Sequence, residues 1–128
     1  MAIKYRATKN ANNIKGDKVT TYYARAISDG EIATGELLTI LSKKTKLNKV
    51  DCLRFMMYLE ETMVEQLENG KIVRLGEIGS FQIGITSKGV ETSKEVMEAT
   101  ITKPHINFRS GKGFKEMLKV LVYKKVKL

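Results

Sequence analysis

The 128-residue chain contains one cysteine, one histidine and one proline, and no apolar run approaches the ~20 residues of a membrane span. Cys52 alone excludes an internal disulfide, and its place beside a helical apolar stripe suits a small core residue rather than a redox centre. A lone His105 next to Pro104, with no acidic or nucleophilic partner suggested by spacing, gives neither a metal cluster nor a catalytic base. There is also no phosphate-cradling loop of the nucleotidase type, no nucleophile elbow and no carboxylate pair in a defined setting. The start, Met1 to Lys18, is polar and charged and unlike a leader peptide. These absences predict a soluble, cytoplasmic protein that is not an enzyme, with no metal, cofactor, membrane or small-molecule substrate.

What the chain has instead is positive charge: the net is +9 and the pI about 9.7. Such a balance points to a polyanionic partner, because each phosphate neutralised by Lys or Arg releases condensed counterions. The excess sits at the two ends, with 6 basic and 2 acidic side chains in residues 1–30 and 8 and 1 in residues 101–128. At this length and with 42% hydrophobic residues, one core is expected. Residues 1–30 read as an N-terminal extension with short strands, and residues 31–128 as the main domain.

In the extension, Ile3 to Thr8 and Thr20 to Ile27 are strand candidates, free to pair with each other or to cover the edge of a main sheet. Asn10 to Lys18 reads as loop, with Asn12, Asn13 and Gly16 at turn positions. Lys4, Arg6, Lys9, Lys15 and Lys18 are available to phosphate, and Tyr22 and Tyr23 point to opposite sides of a strand.

Helical signals begin near Glu31, with Ser28 and Glu31 spaced as a capping box and Thr34 as a second cap. Ile32, Leu37, Leu38 and Leu41 recur at helical spacing, and the helix should end near Thr45 or Lys46. Asn48 caps a second helix bearing Leu53, Met56, Met57, Met63, Val64 and Leu67, which stops at Asn69-Gly70. One such hairpin cannot bury so wide a stripe, which hints at a partner subunit.

The period then changes to two. Val73 and Leu75, then Phe81, Ile83 and Ile85, describe a β-hairpin about Gly76-Glu77-Ile78-Gly79. Residues 87–98 are either a surface loop or a two-stranded arm, with Val96, Thr100 and Ile101 restarting a strand towards Phe108. Arg109-Ser110-Gly111-Lys112-Gly113 leads into a last helix with Phe114, Met117, Leu118 and Leu121 on one face.

From Leu37 to Phe81 the order of helix, Leu47-Asn48-Lys49 turn, long helix and Gly76-Glu77-Ile78-Gly79-Ser80-Phe81 resembles the HU/IHF family of bacterial histone-like DNA-binding proteins, in a longer, divergent subgroup. Phe108-Arg109-Ser110-Gly111-Lys112-Gly113-Phe114-Lys115 is similar to that family's closing motif, so the likeness spans residues 31–122. It implies an α+β, IHF-like fold: a helical hairpin plus a β-sheet with a protruding β-arm and a C-terminal helix, in an intertwined homodimer. It also implies architectural, largely sequence-non-specific binding of double-stranded DNA in the nucleoid. Carried over, Arg109, Lys112 and Lys115 contact phosphate on a saddle, with Lys119 beside them and Lys88, Lys94 and Lys103 on the arm.

The arm departs from the pattern. Family members that kink DNA carry Arg-Asn-Pro at the tip, whereas here Pro104 lies near the base and Glu91, Glu95 and Glu98 accompany the lysines. Val90 and Val96 are the apolar residues available as a wedge, although packing suits both. The acidic arm motivates the alternative of an HU-like scaffold that has lost groove binding.

Overall fold

Asn48 sets the register of the helical hairpin, because its side-chain oxygen accepts the backbone N–H of Asp51 at 2.8 Å and so satisfies an otherwise unpaired first-turn donor. Helix α2, Lys49–Glu68, follows from it. Helix α1, Thr34–Thr45, precedes it and ends at Lys46, a non-glycine residue at φ 63. That unusual conformation is held from both sides, by Lys46 N–H to Ser42 O at 2.9 Å and the Ser42 hydroxyl to Leu47 O at 2.6 Å. The expected capping box does not form. Ser28 instead closes a local turn on Gly30, whose N–H it accepts at 3.2 Å, so the helix starts later than Glu31 and Ile32 stays outside it. Asn69-Gly70 stops α2 as expected, with Gly70 at φ 77 and Lys71 N–H reaching Gln66 O at 3.1 Å.

The computed structural model describes residues 1–14 and 17–127, with the backbone alone for 11–14 and 17–19. The fold is α+β, with three helices and two three-stranded sheets among the described residues. The chain divides into a terminal unit, Met1–Leu37 with Met117–Leu128, and a central unit, Leu38–Glu116.

In the central unit, β3 (Val73–Leu75), β4 (Gly79–Ser87) and β5 (Ile101–Ser110) form an antiparallel sheet in the order β3-β4-β5. The turn between β3 and β4 falls at Gly76-Glu77-Ile78, where Gly76 has φ 51 and Ile78 N–H meets Leu75 O at 3.0 Å. Strands β4 and β5 are joined across residues 88–100 by two short 3-10 turns, Ser93–Glu95 and Glu98–Thr100, and Lys88 N–H to Thr100 O at 2.8 Å closes the connection. Val96 and Thr100 therefore lie in the connection and the strand restarts at Ile101, because the Thr100 N–H and hydroxyl both turn back to Met97 O, at 2.9 and 2.7 Å, rather than into the ladder. Helix α3, Lys112–Lys119, follows β5.

In the terminal unit, β1 (Ile3–Ile14) pairs antiparallel with β2 (Asp17–Ile27), so the expected loop from Asn10 to Lys18 is largely strand. Lys15 and Gly16 lie outside the described residues. The other edge of β1 is taken by β6, Tyr123–Lys125, running parallel to it. Leu121 thus belongs to the connection after α3 rather than to the helix face assigned from spacing; Val120 N–H already turns back to Met117 O at 3.1 Å.

Leu38 and Leu67 are the buried hydrophobic residues among those described. The α2 stripe is open: Val50 is 64% exposed, Met57 59% and Leu53 39%. Among the described residues, no helix is long and apolar enough to cross a membrane.

Candidate nucleic-acid interface

Period-two alternation gives the central sheet two unlike faces. One is apolar: cross-strand partners Phe81 and Phe108, Ile83 and Ile106, and Ile85 and Pro104 stack along it. The other is polar throughout, with Ser80 opposite Arg109, Gln82 opposite Asn107, Gly84 opposite His105 and Thr86 opposite Lys103. Arg74 extends the first of these pairs, because it is the partner of Ser80 on the other side. Arg74, Ser80 and Arg109 therefore form one row across three strands, with the two guanidinium stems about 10 Å apart at the backbone.

A concavity of about 430 Å³ lies over this row, lined by Arg74, Ser80, Gln82, Arg109, Gly111 and Lys115 among others. Arg74 and Arg109 reach it from the sheet and Lys115 from α3. Among the described residues, none of these cations nor Lys103, Lys112 or Lys119 has a carboxylate within 4.0 Å. Lys112, Lys115 and Lys119 fall at i, i+3 and i+7 on α3, a single stripe opposite the apolar one. Lys112 stands in the first turn, where unpaired backbone N–H groups favour an anion.

The stripe is aimed by aromatic packing. The Phe108 ring lies 4.9 Å from Phe81 and 6.4 Å edge-on from Phe114, joining the apolar face of the sheet to the apolar face of α3. The two glycines of the closing motif have different jobs. Gly111 is pressed against the β3–β4 turn, its N–H donating to Ile78 O at 2.8 Å, and a Cβ there would overlap the Glu77 carbonyl. Gly113 has open space around it. Close backbone approach is thus used at Gly111, and it serves the fold.

Of the arm residues, Lys103 shares the polar face with Arg109, six residues or about 20 Å away along β5. Lys88 lies just beyond β4 and Lys94 within a 3-10 turn, apart from the concavity. Glu95 accepts the Thr92 hydroxyl at 3.1 Å beside Lys94. His105 sits on the polar face where Gly84 leaves room for its ring. The residues missed by sequence reading are Arg74 and Gln82. Alternation with Val73 and Leu75 was the available signal for Arg74, but its row partner depends on strand register.

Among known proteins, the family model described as "HU domain fused to wHTH, Ig, or Glycine-rich motif" matches residues 1–125. The DNA-binding protein HU of Buchnera aphidicola subsp. Acyrthosiphon pisum (strain APS) is 27% identical over 90 residues, 67% of this chain and 96% of that one. A crystal structure of a candidate DNA-binding protein from Bacteroides vulgatus ATCC 8482 has the same fold, with a TM-score of 0.66 at 17% identity over 98% of this chain. The present chain spans 48% of the length of that solved chain.

Proposed function

The chain belongs to the family of HU domains fused to a wHTH, Ig or glycine-rich motif, and from that premise we propose that it binds duplex DNA architecturally, as a homodimer with little sequence preference. The observation that carries this reading is the row Arg74, Ser80 and Arg109 with Lys115 above it, a concave cationic surface among whose charges no carboxylate intervenes. Cations left unpaired on a concave surface suit phosphate oxygens, which guanidinium groups grip in pairs of hydrogen bonds. Lys112, Lys115 and Lys119 extend the surface along α3, and Lys103 extends it along β5. These contacts position a backbone and read no base edge, which is the physical basis for low sequence preference.

The arm, with Lys88, Lys94 and Lys103, contributes less than the concave row and drives no proline wedge into the duplex, since its connection carries Glu91, Glu95 and Glu98, which repel phosphate, and no proline. The same carboxylates favour the second reading, an HU-like scaffold that has lost groove binding.

Fluorescence anisotropy of a short random-sequence duplex across a salt series separates the two. Expected is tight binding whose log K falls linearly with log salt, with a slope of about −0.9 per phosphate contacted. The Lys112→Glu, Lys115→Glu double variant should lose at least two such contacts and, by repulsion, most of its affinity. Undiminished binding by that variant refutes the saddle, and no wild-type binding at low salt leaves the scaffold reading.

A further inference from the structure

Register in the terminal sheet sorts its side chains into two faces as unlike as those of the central one. Ile3, Tyr5, Ala24, Ala26 and Tyr123 line an apolar concavity on one face. On the opposite face Arg6 stands directly across from Arg25, and Lys4 directly beside Lys124. Because β1 is the middle strand, all four cations occupy one patch two residues deep, about 7 Å along the strand. Asp29, which meets Lys4 at 3.1 Å, is the carboxylate that ion-pairs within this group; Arg6, Arg25 and Lys124 are exposed and unpaired among the described residues.

Like charges placed directly opposite on adjacent strands destabilise a sheet. A chain that aligns Arg6 with Arg25 and adds Lys124 to the same face leaves a repulsion that a bound polyanion relieves. The geometry points to this face as a second phosphate-binding surface for duplex DNA, on the terminal unit and separate in composition from the Arg74, Arg109 and Lys115 row. The inference rests on the DNA-binding reading above. It also divides the extension's basic residues: Lys4 and Arg6 contribute, Lys9 points to the other face with Tyr22, Lys15 lies outside the described residues, and Arg25 and Lys124 join from further along the chain. Ile27 and Tyr23 share this face as the cross-strand partners of Lys4 and Thr8, with Ile27 half-buried. The ligand is nucleic acid rather than an anionic membrane because the chain's family and its central cationic row already point to DNA.

The test uses the full chain. An Arg6→Gln, Arg25→Gln, Lys124→Gln variant should bind a random-sequence duplex at least ten-fold more weakly at intermediate salt, with a salt slope shallower by about 2 to 3 units. The Arg6→Lys, Arg25→Lys variant keeps the charge and should keep the slope, which separates lost contacts from lost structure. Loss of binding by both variants alike, with altered circular dichroism, overturns the phosphate assignment in favour of a structural role. If the neutral variant binds as the wild type does while Lys112→Glu, Lys115→Glu fails, the terminal face is no DNA surface and the central one stands. If it loses binding only to phosphatidylserine vesicles, the face belongs to a membrane. Absence of wild-type duplex binding removes both surfaces together.

Discussion

Two glycines separated by one lysine carry opposite consequences. Gly111 has its Cα against the backbone of Glu77 and Ile78, so an added methyl group meets carbonyl oxygen and carbon that no side-chain rotation can move aside. Gly111→Ala should therefore cost ~1–3 kcal/mol by overpacking and shift the β3–β4 turn away from β5. Gly113 has no atom within 4 Å of the same hypothetical carbon and lies in the first turn of α3. Gly113→Ala should hold or raise stability by up to ~1 kcal/mol, because alanine loses less backbone entropy in a helix. Urea unfolding of the two variants checks the contrast, and equal destabilisation by both would contradict it. In sequence the pair looks symmetrical. The asymmetry comes from a turn more than thirty residues earlier, a distance that local pattern does not span.

Elements differ in how much of their placement is local. The α1–α2 hairpin was legible because every determinant lies within a few residues: the Asn48 side chain on Asp51 N–H, the helical spacing of Leu53, Met57 and Val64, and Gly70 at positive φ. The β3–β4 hairpin was legible for the same reason. Strand β6 was not, because Tyr123-Lys124-Lys125 has no periodicity of its own and becomes a strand only by pairing with β1 at the other end of the chain. The candidate site divides likewise. Arg109, Lys112 and Lys115 sit in a local motif, while the Arg74 row needed the register of three strands.

The aromatic trio tests whether that local motif depends on its surroundings. Phe108 touches both Phe81 and Phe114 and is 46% exposed, so Phe108→Ala should cost less than a buried Phe deletion, ~1–3 kcal/mol. It removes no charge, yet α3 loses its hold on the sheet, and duplex affinity should fall several-fold with the salt slope nearly unchanged. A variant that keeps full affinity would show that the lysine stripe works without the aromatic anchor.

At the scale of the molecule, burial decides the argument. Folding must offset a conformational entropy of order 1–2 kcal/mol per residue, mainly by removing apolar surface from water. Here Leu38 and Leu67 alone among the described hydrophobic residues are buried, while Val50, Leu53, Met56 and Met57 form an open stripe on α2. The homodimer proposed above accounts for this stripe if a second copy places its own α2 against it. Two measurements follow. The thermal midpoint should rise with protein concentration, as mass action requires when folding and association are coupled. Leu53→Asp should abolish both folding and dimer, as read by circular dichroism and sedimentation. In a stable monomer the same substitution would replace a residue 39% exposed at small cost, within about 1 kcal/mol. A concentration-independent midpoint together with a well-folded Leu53→Asp variant would mean that the stripe is covered in some other way, and that the cationic row of one chain acts alone.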